Sequence, residues 1–308
     1  MGALIPPGGR GDLTPYTVKP IGMVTPCETL VLHAPHVFEA LQIFVQRSLP
    51  LLPVDISLAS LTHVLDVGCG QPLWGRALFR AMLEQAGPDL IADVRIDGIE
   101  SCDELVQKAR TTLRTGRAQV RISQGNLLHL PPESQDRYQL VQMRFLALSL
   151  SPSSWSQALA QLYRVCAPRG TVIWLEPSLP TPSDKAPGWN QWLRWIAQAI
   201  AAHGGSPSIG QNMDAIFQQA GHWMKLRREV IPVPLLPATR IQGSLPADQI
   251  LTLHDWIFEL RPWLIHGGIP ADQIDKGLSQ VLSELNQRMI ISSWPWTMII
   301  GTKPTGRR

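Results

Sequence analysis

The chain has 308 residues, of which 17% are charged and 44% are hydrophobic, and its formal net charge is +3. Because proteins that bind nucleic acids usually present a strongly basic face, this low charge argues against a nucleic-acid substrate. The four cysteines lie far apart without a Cys-x-x-Cys pair, so we predict neither a metal site nor a disulfide framework. No apolar run approaches the ~20 residues that span a bilayer, and the N-terminus does not resemble a signal peptide, which predicts a cytoplasmic protein.

The first 59 residues are predicted to precede the main sheet as a cap segment. Residues 1–36 are rich in proline and glycine, so we expect them to be irregular. Residues 37–49 have the spacing of an amphipathic helix, which would end at the break formed by Pro50 and Pro53. No candidate site residue falls in this part of the chain.

The most informative segment begins with the mostly apolar run His63–Val67, which predicts a buried strand. Gly68 and Gly70 follow it, and glycine lets the backbone turn sharply and bring its N–H groups close to a ligand. A predicted helix from Trp74 points its N-terminus at the same place. This order of strand, glycine turn and helix is typical of a nucleotide site.

The residues around the turn indicate which nucleotide it would bind. A dinucleotide fingerprint would have a third glycine where this chain has Leu73, and the Gly-Lys-Ser or Gly-Lys-Thr triplet of a P-loop does not occur. Asp66 precedes Gly68 by two places, and its carboxylate suits a cationic ligand end better than a phosphate. The segment resembles motif I of the class I S-adenosylmethionine-dependent methyltransferases, whose pattern runs apolar-Leu-Asp-apolar-Gly-x-Gly.

The elements that follow occur in the order found in the same family. They are a strand at Ile91–Ile99 that ends at Glu100, a helix at 101–114, a strand at Gln119–Ser123 before Gly125-Asn126-Leu127, a strand block from Tyr138 to Leu148, a helix at Trp155–Cys166, and a strand at Thr171–Pro177 that follows Pro168-Arg169-Gly170. The resemblance therefore extends well beyond the glycine turn, and it implies S-adenosylmethionine as the cofactor.

The resemblance also implies roles for individual residues. Glu100 would accept the ribose hydroxyls, although a carboxylate there could equally cap the following helix. Asn126 would bond the adenine amino group with Leu127 packed on the ring, although asparagine after glycine is also an ordinary turn residue. Met143 and Arg144 would approach the methionine portion or the acceptor. The predicted cofactor-binding residues are Asp66, Gly68, Cys69, Gly70, Glu100, Ser101, Asn126, Leu127, Met143 and Arg144.

Two departures from the family pattern leave other functions open. Gln71-Pro72 replaces the usual Thr-Gly, and Gln139 stands where an aspartate is usual, although Trp74 is similar to a branch of fungal and bacterial secondary-metabolite methyltransferases. One alternative is an enzyme on the same scaffold that catalyses another reaction, such as a cyclisation. The other is a regulatory protein that binds the cofactor only as a ligand.

The second half of the chain is predicted to complete the sheet and to add helices. The predicted elements are helices at Trp189–Ala202, Ile209–Ala220, Ala247–Leu264 and Ala271–Arg288, and strands at 223–233 and Trp294–Thr302. Helices beyond the minimal fold form the acceptor lid in relatives. We therefore predict a helical lid here.

Ten of the eleven tryptophans lie after residue 150, and the lid region also contains two candidate histidines. Trp189, Trp192 and Trp195 fall on one helix face, which usually indicates core packing but would also suit an aromatic-lined acceptor pocket. His254 and His266 are the candidate catalytic bases, because histidine can accept a proton near neutral pH. For each of them a solvent-exposed or structurally bonded histidine is the more common explanation.

Together these patterns predict one α/β methyltransferase domain over residues 1–308. Its fold would be Rossmann-like and doubly wound, with a mostly parallel seven-stranded sheet, an antiparallel last strand and a helical lid. Residues 60–177 would form the cofactor half, and residues 178–308 the acceptor half, with helical insertions at about 184–204 and 246–290. The predicted function is methyl transfer to an apolar or aromatic small molecule in specialised metabolism.

Overall fold

The computed structural model describes residues 57–70, 73–86, 93–113, 120–234, 260–287 and 293–306. The helix predicted at 37–49 and most of the helix predicted at 247–264 lie outside the described residues. Within the described parts of the chain, no helix is both long enough and apolar enough to cross a bilayer.

Seven strands form one sheet. They are β1 (His63–Val67), β2 (Arg95–Glu100), β3 (Val120–Gln124), β4 (Tyr138–Arg144), β5 (Cys166–Pro177), β6 (Lys225–Pro234) and β7 (Ser293–Thr302). Their order is β3-β2-β1-β4-β5-β7-β6. Strands β1 to β5 pair in parallel, whereas β7 is antiparallel to both of its neighbours. The predicted mostly parallel seven-stranded sheet with an antiparallel last strand is therefore confirmed.

Seven α-helices accompany the sheet in the described residues. They are α1 (Leu73–Ala86), α2 (Asp103–Leu113), α3 (Trp155–Val165), α4 (Pro187–Ala202), α5 (Ile209–Ala220), α6 (Arg261–His266) and α7 (Ala271–Asn286). One sheet face packs against α1, α4, α6 and α7, and the other packs against α3 and α5. Because the chain turns from β3 back to β4 on the other side of β1, the strand order reverses between β1 and β4. Ligands of such sheets bind at the carboxyl ends of the strands at this point.

The largest differences from the sequence prediction are at the boundaries of three strands. Strand β2 begins at Arg95 rather than Ile91. Strand β4 ends at Arg144 because Phe145 adopts a left-handed conformation with φ of 58°, which breaks the strand before Leu148. Strand β5 begins at Cys166 and continues through a register irregularity opposite the start of β4.

Helices α4 and α7 are linked by buried hydrogen bonds. The buried Glu284 carboxylate of α7 accepts hydrogen bonds from the backbone N–H groups of Gly188 and Trp189, at 2.7 and 2.8 Å. These donors belong to the first turn of α4, where backbone N–H groups have no partner within the helix. The helices that were predicted to form a lid therefore pack into the core, as far as they lie within the described residues.

Candidate functional site

A cavity of about 380 Å³ opens at the carboxyl ends of the central strands. Its volume lies within the ~300–1,000 Å³ that is usual for small-molecule sites. Its walls come from the turns after β1, β2, β3 and β4 and from the ends of α3 and α4. The lining residues are Val67, Gly68, Gly70, Ile99, Glu100, Ser101, Leu105, Gly125, Asn126, Leu127, Leu128, Arg144, Phe145, Leu146, Ser149, Leu150, Ser151, Ser154, His203 and Gly204.

The glycine turn after β1 uses its N–H groups inside the protein. Gly68 and Gly70 have positive φ angles of 63° and 52°, which glycine adopts without strain. The N–H groups of Gly68 and Cys69 donate to the carbonyl of Ile99, at 2.8 and 3.2 Å, and that of Gly70 donates to Glu100. The structure thus differs from the expectation that these N–H groups would face a ligand. The turn leaves space for a ligand at the end of β1, and its Gly70 N–H holds the Glu100 carboxylate beside that space.

Glu100 at the end of β2 has one carboxylate oxygen with spare capacity to accept. Oε1 accepts from the backbone N–H groups of Ser101 and Cys102, at 2.8 and 3.0 Å. Oε2 accepts from Gly70 N–H at 3.0 Å and keeps a second lone pair. The ribose role and the helix-capping role considered from the sequence are therefore compatible, with Oε2 as the oxygen that could accept from a ribose hydroxyl.

Asp66 and Arg144 form a buried ion pair between the ends of β1 and β4. Arg144 Nη1 lies 2.5 Å from Asp66 Oδ1, and Nη2 lies 3.4 Å from Oδ2, with both side chains 2% exposed. The guanidinium also stands over the Trp74 ring, 5.5 Å from its centroid. Burial raises the pKa of Asp66, and the neighbouring Arg144 charge opposes that shift. Arg144 lines the cavity, whereas Asp66 does not.

Seven of the ten predicted cofactor-binding residues line the cavity, and three do not. Asp66 is paired with Arg144. Met143 is fully buried in the core cluster between the sheet and helices α3 and α5, and Cys69 packs against α2. Burial, with Asp66 and Glu100 nearby, raises the pKa of the Cys69 thiol well above its usual range, so the thiol stays neutral. The roles assigned to these residues stay predictions.

Asn126 and Leu127 line the cavity at the end of β3. The Asn126 side-chain oxygen accepts from Leu128 N–H at 2.9 Å and so caps a short 3-10 turn. Leu127 is buried and packs into the core beside the cavity. The turn role and the adenine role are again compatible, because a carbonyl oxygen can accept two hydrogen bonds.

Glu176 at the end of β5 was not identified from the sequence, although it holds one cavity wall in place. Its fully buried carboxylate accepts from Leu146 N–H at 2.8 Å, Ala147 N–H at 3.0 Å and the Trp174 indole at 3.1 Å. Burial raises the pKa of Glu176 to about 7, although the three hydrogen-bond donors act to lower it. An acidic residue at the end of an apolar strand is the signal that could have identified it, as it did for Glu100.

The segment after β4 lines the cavity with apolar side chains and with serines. Phe145, Leu146 and Leu150 are its apolar lining residues. Ser149, Ser151 and Ser154 also line the cavity, and the hydroxyl oxygens of Ser151 and Ser154 lie 2.8 Å apart. This part of the cavity could therefore hold an apolar molecule that carries a hydrogen-bonding group.

Of the two candidate histidines, His254 lies outside the described residues, and His266 is exposed and contacts His203. His266 Nδ1 is 3.2 Å from His203 Nε2, and His203 Nδ1 is 2.7 Å from the Ala199 carbonyl. Because a carbonyl only accepts, the neutral His203 ring would carry its proton on Nδ1 and accept at Nε2. His203, rather than His266, lines the cavity.

The three tryptophans of α4, Trp189, Trp192 and Trp195, form a stripe along the helix that lies in the core. Trp189 and Trp192 have no exposed surface, Trp195 is 7% exposed, and none of the three lines the cavity. They pack among α4, α6, α7 and the sheet. The structure therefore supports core packing as the reason for the helical spacing of these tryptophans.

Among the described residues, no group of His, Cys, Asp or Glu side chains is arranged to hold a metal ion.

Comparison with known proteins identifies the class to which this fold and cavity belong. Residues 64–170 match a family model described as a methyltransferase domain. Together with the strand order and the acidic residues at the ends of β1 and β2, this match supports a class I S-adenosylmethionine-dependent methyltransferase domain in this part of the chain.

Individual relatives agree with this class. A demethylmenaquinone methyltransferase of Lactiplantibacillus plantarum is 33% identical over 138 residues, which are 45% of this chain and 54% of that protein. The chain thus spans about half the length of this curated relative.

Two solved structures share the fold at low sequence identity. YcgJ of Bacillus subtilis is 16% identical, with a TM-score of 0.51 over 87% of this chain and 100% of that chain. Phosphoethanolamine N-methyltransferase 2 of Haemonchus contortus, solved with phosphomonomethylethanolamine and S-adenosylhomocysteine, is 12% identical, with a TM-score of 0.54 over 92% of this chain and 61% of that chain.

Proposed function

We propose that this protein transfers the methyl group of S-adenosylmethionine to an apolar or aromatic small molecule. The observation that carries the proposal is one cavity lined by two chemically different groups of residues. We assign Glu100 and the glycine turn to a cofactor end, and Phe145, Leu150 and the serines of the segment after β4 to an acceptor end. A methyl donor and its acceptor must meet in one cavity, because transfer requires direct contact between the reacting atoms.

The residues at the first end fit the cofactor. Glu100 Oε2 has spare capacity for a ribose hydroxyl, and Leu105 and Leu127 offer apolar surface for an adenine ring. Asp66 is paired with Arg144, so Glu100 is the acidic residue without a paired cation that lines the cavity at this end. Its carboxylate complements a cofactor whose sulfonium, ammonium and carboxylate groups sum to one positive charge.

The protein's part in the reaction would be to align the acceptor and to exclude water. The cofactor supplies a sulfonium methyl that an oxygen, nitrogen or carbon nucleophile displaces in line. Phe145 and Leu146 begin the wall between the two ends, and Glu176 fixes that wall through Leu146 N–H. A rigid wall favours transfer because it holds the nucleophile on the axis of the breaking bond.

We also propose the setting in which this activity occurs. The whole chain would act as one domain in the cytoplasm, in specialised metabolism, without a nucleic-acid partner. The basis for this is the resemblance of the motifs together with the low net charge of +3. His254 and His266 stay candidate bases, and His203 joins them because it lines the cavity.

The test is incubation of the purified chain with methyl-labelled S-adenosylmethionine and a panel of phenols and other aromatic alcohols, amines and acids. We expect label transfer to at least one acceptor and binding of S-adenosylhomocysteine by calorimetry. Binding without transfer to any acceptor would favour the cyclisation or regulatory alternatives. Absence of binding would contradict the role proposed for Glu100.

A further inference from the structure

Strand β6 carries an exposed apolar stripe at the edge of the sheet. It is the last strand of the sheet in the part of the chain that the structure describes. The large hydrophobic side chains that stay exposed among the described residues are Met224, Leu226, Val230 and Ile265. Three of these four lie on β6 or directly before it. Single exposed apolar residues are ordinary, whereas a group of them in one place indicates an interaction surface.

The backbone of β6 has an open edge that can form hydrogen bonds. Along an antiparallel strand, successive residues direct their N–H and C=O groups to opposite sides. Pro232 and Pro234 have no N–H group to donate and therefore occupy positions that face away from β7. Leu226, Arg228 and Val230 are an even number of residues from these prolines, so their N–H and C=O groups also point to the open edge. A strand of another chain can pair there as far as Pro232.

The charges of β6 complement a second copy of the same strand. When two copies pair antiparallel about a two-fold axis at Arg228, Arg227 lies directly opposite Glu229 of the second copy. Within one chain, Arg227 Nε is 2.9 Å from Glu229 Oε1, so the four side chains would alternate in sign. An axis at Arg227 or at Glu229 would instead place like charges opposite each other. The charge pattern therefore selects the axis at Arg228.

The same register covers the apolar stripe. Leu226 would lie opposite Val230 of the second copy, and Leu226, Arg228 and Val230 would each exchange both backbone hydrogen bonds with the residue opposite. The like charges that this register brings together are the two Arg228 side chains. Each is already paired within its own chain, because Arg228 Nε is 3.1 Å from Asp214 Oδ2 of α5. The register thus joins opposite charges and apolar groups without an unpaired cation at its centre.

We propose that β6 is a homodimer interface, in which two copies of this chain pair their β6 strands antiparallel about Arg228. The inference does not depend on the proposed function, because β6 contributes no residue to the cavity lining. One strand pair buries less than the ~1,600 Å² of a standard interface. We therefore expect a reversible dimer with a dissociation constant on the order of 10 μM.

The experiment is sedimentation velocity on the full chain, from about one tenth to about ten times that concentration. It compares wild type with Arg227→Glu, with Glu229→Arg and with an equimolar mixture of these two variants. Each single change gives all four facing side chains the same sign, whereas the mixture restores opposite signs between the two chains. The matched control is Arg121→Glu, which makes the same charge change at an exposed position of β3, the other edge strand.

We expect wild type and Arg121→Glu to form a dimer that dissociates on dilution. Each single β6 variant should dimerise about 10- to 100-fold more weakly, because like charges face each other across the strand pair. The mixture should recover a heterodimer with about the wild-type affinity. That recovery would also show that both variants are folded, since unfolded chains could not form the strand pair.

Three results would overturn the inference. A wild-type chain that stays monomeric over the whole range would show that the edge of β6 does not pair with a second copy. A wild-type dimer that persists unchanged in both single variants would use another surface. A mixture that stays as monomeric as its components would reject the register about Arg228.

Discussion

The two ends of the cavity are built in different ways. At the cofactor end, the Glu100 carboxylate accepts from backbone N–H groups, and Arg144 and Asp66 are buried between paired strands. At the acceptor end, the polar groups are serine hydroxyls near the start of α3 and the His203 ring at the end of α4. The sheet therefore sets the geometry of the first end, whereas side chains on turns and helix ends set that of the second. This difference predicts that variants will separate cofactor binding, acceptor binding and stability.

The largest effect should come from the tryptophan stripe, which tests whether the added helices belong to the core or to the acceptor end. Trp192→Ala should lower the free energy of unfolding by about 4 kcal/mol, because it empties a fully buried site. Denaturant unfolding measures this loss, and Trp192→Phe should lose less than half as much. Intact stability with selective loss of acceptor binding would instead place Trp192 in the acceptor site.

The next effect concerns the wall between the two ends. Glu176→Gln should lower the free energy of unfolding by about 3 kcal/mol at pH 5, because Gln keeps only one acceptor oxygen and its amide nitrogen cannot accept from the second of the buried Leu146 and Ala147 N–H groups. Thermal unfolding measures the change. Glu133→Gln is a suitable control, since that side chain is exposed on a short turn.

The penalty of this substitution should depend on pH. The folded-state pKa of Glu176, about 7, is above the ordinary value of 4.5, so the folded state holds the proton more tightly than the unfolded state does. The group's contribution to stability is therefore fully present below pH 4.5 and is lost as the pH rises through 7, by about 3 kcal/mol in total. Consequently, the difference between wild type and Glu176→Gln should shrink from pH 5 to pH 8. A difference that grows with pH would contradict the raised pKa.

The sequence predicted the cofactor end better than the acceptor end for a physical reason. Strand ends leave a local pattern, and Glu100 was identified because it follows an apolar strand. Glu176 has the same local pattern, but its importance depends on N–H groups 30 residues earlier in the chain. The contact between His203 and His266 joins two helix ends that are 63 residues apart. No periodicity in either helix could have indicated that contact.

The same reasoning explains why the end of strand β4 at Arg144 was not predicted from the sequence. The run after Arg144 is apolar, and apolar runs favour an extended strand. The left-handed conformation of Phe145 is instead compatible with the two bonds that Glu176 makes to the next two N–H groups. A tertiary contact thus overrides the local preference and creates the cavity wall.

A third prediction tests the cofactor end directly. Glu100→Gln should weaken S-adenosylhomocysteine binding by about 100-fold, because it removes a charged acceptor for a ribose hydroxyl and disturbs the contact with Gly70 N–H. Calorimetry measures the affinity, with Glu104→Gln as the exposed control on the following helix. Equal affinities for the two variants would show that the ribose does not meet Glu100.

The smallest effect should come from the acceptor end, where each contact is a single neutral hydroxyl. Ser154→Ala removes one lining hydroxyl and its 2.8 Å contact with Ser151, which corresponds to about 1 kcal/mol. We expect the KM for the acceptor identified by label transfer to rise by roughly fivefold, and the affinity for S-adenosylhomocysteine to change by less than about twofold. Ser153→Ala, whose hydroxyl does not line the cavity, is the control. If Ser154→Ala weakened cofactor and acceptor binding equally, the two ends would not be independent, and the contrast between a sheet-built and a turn-built end would fail.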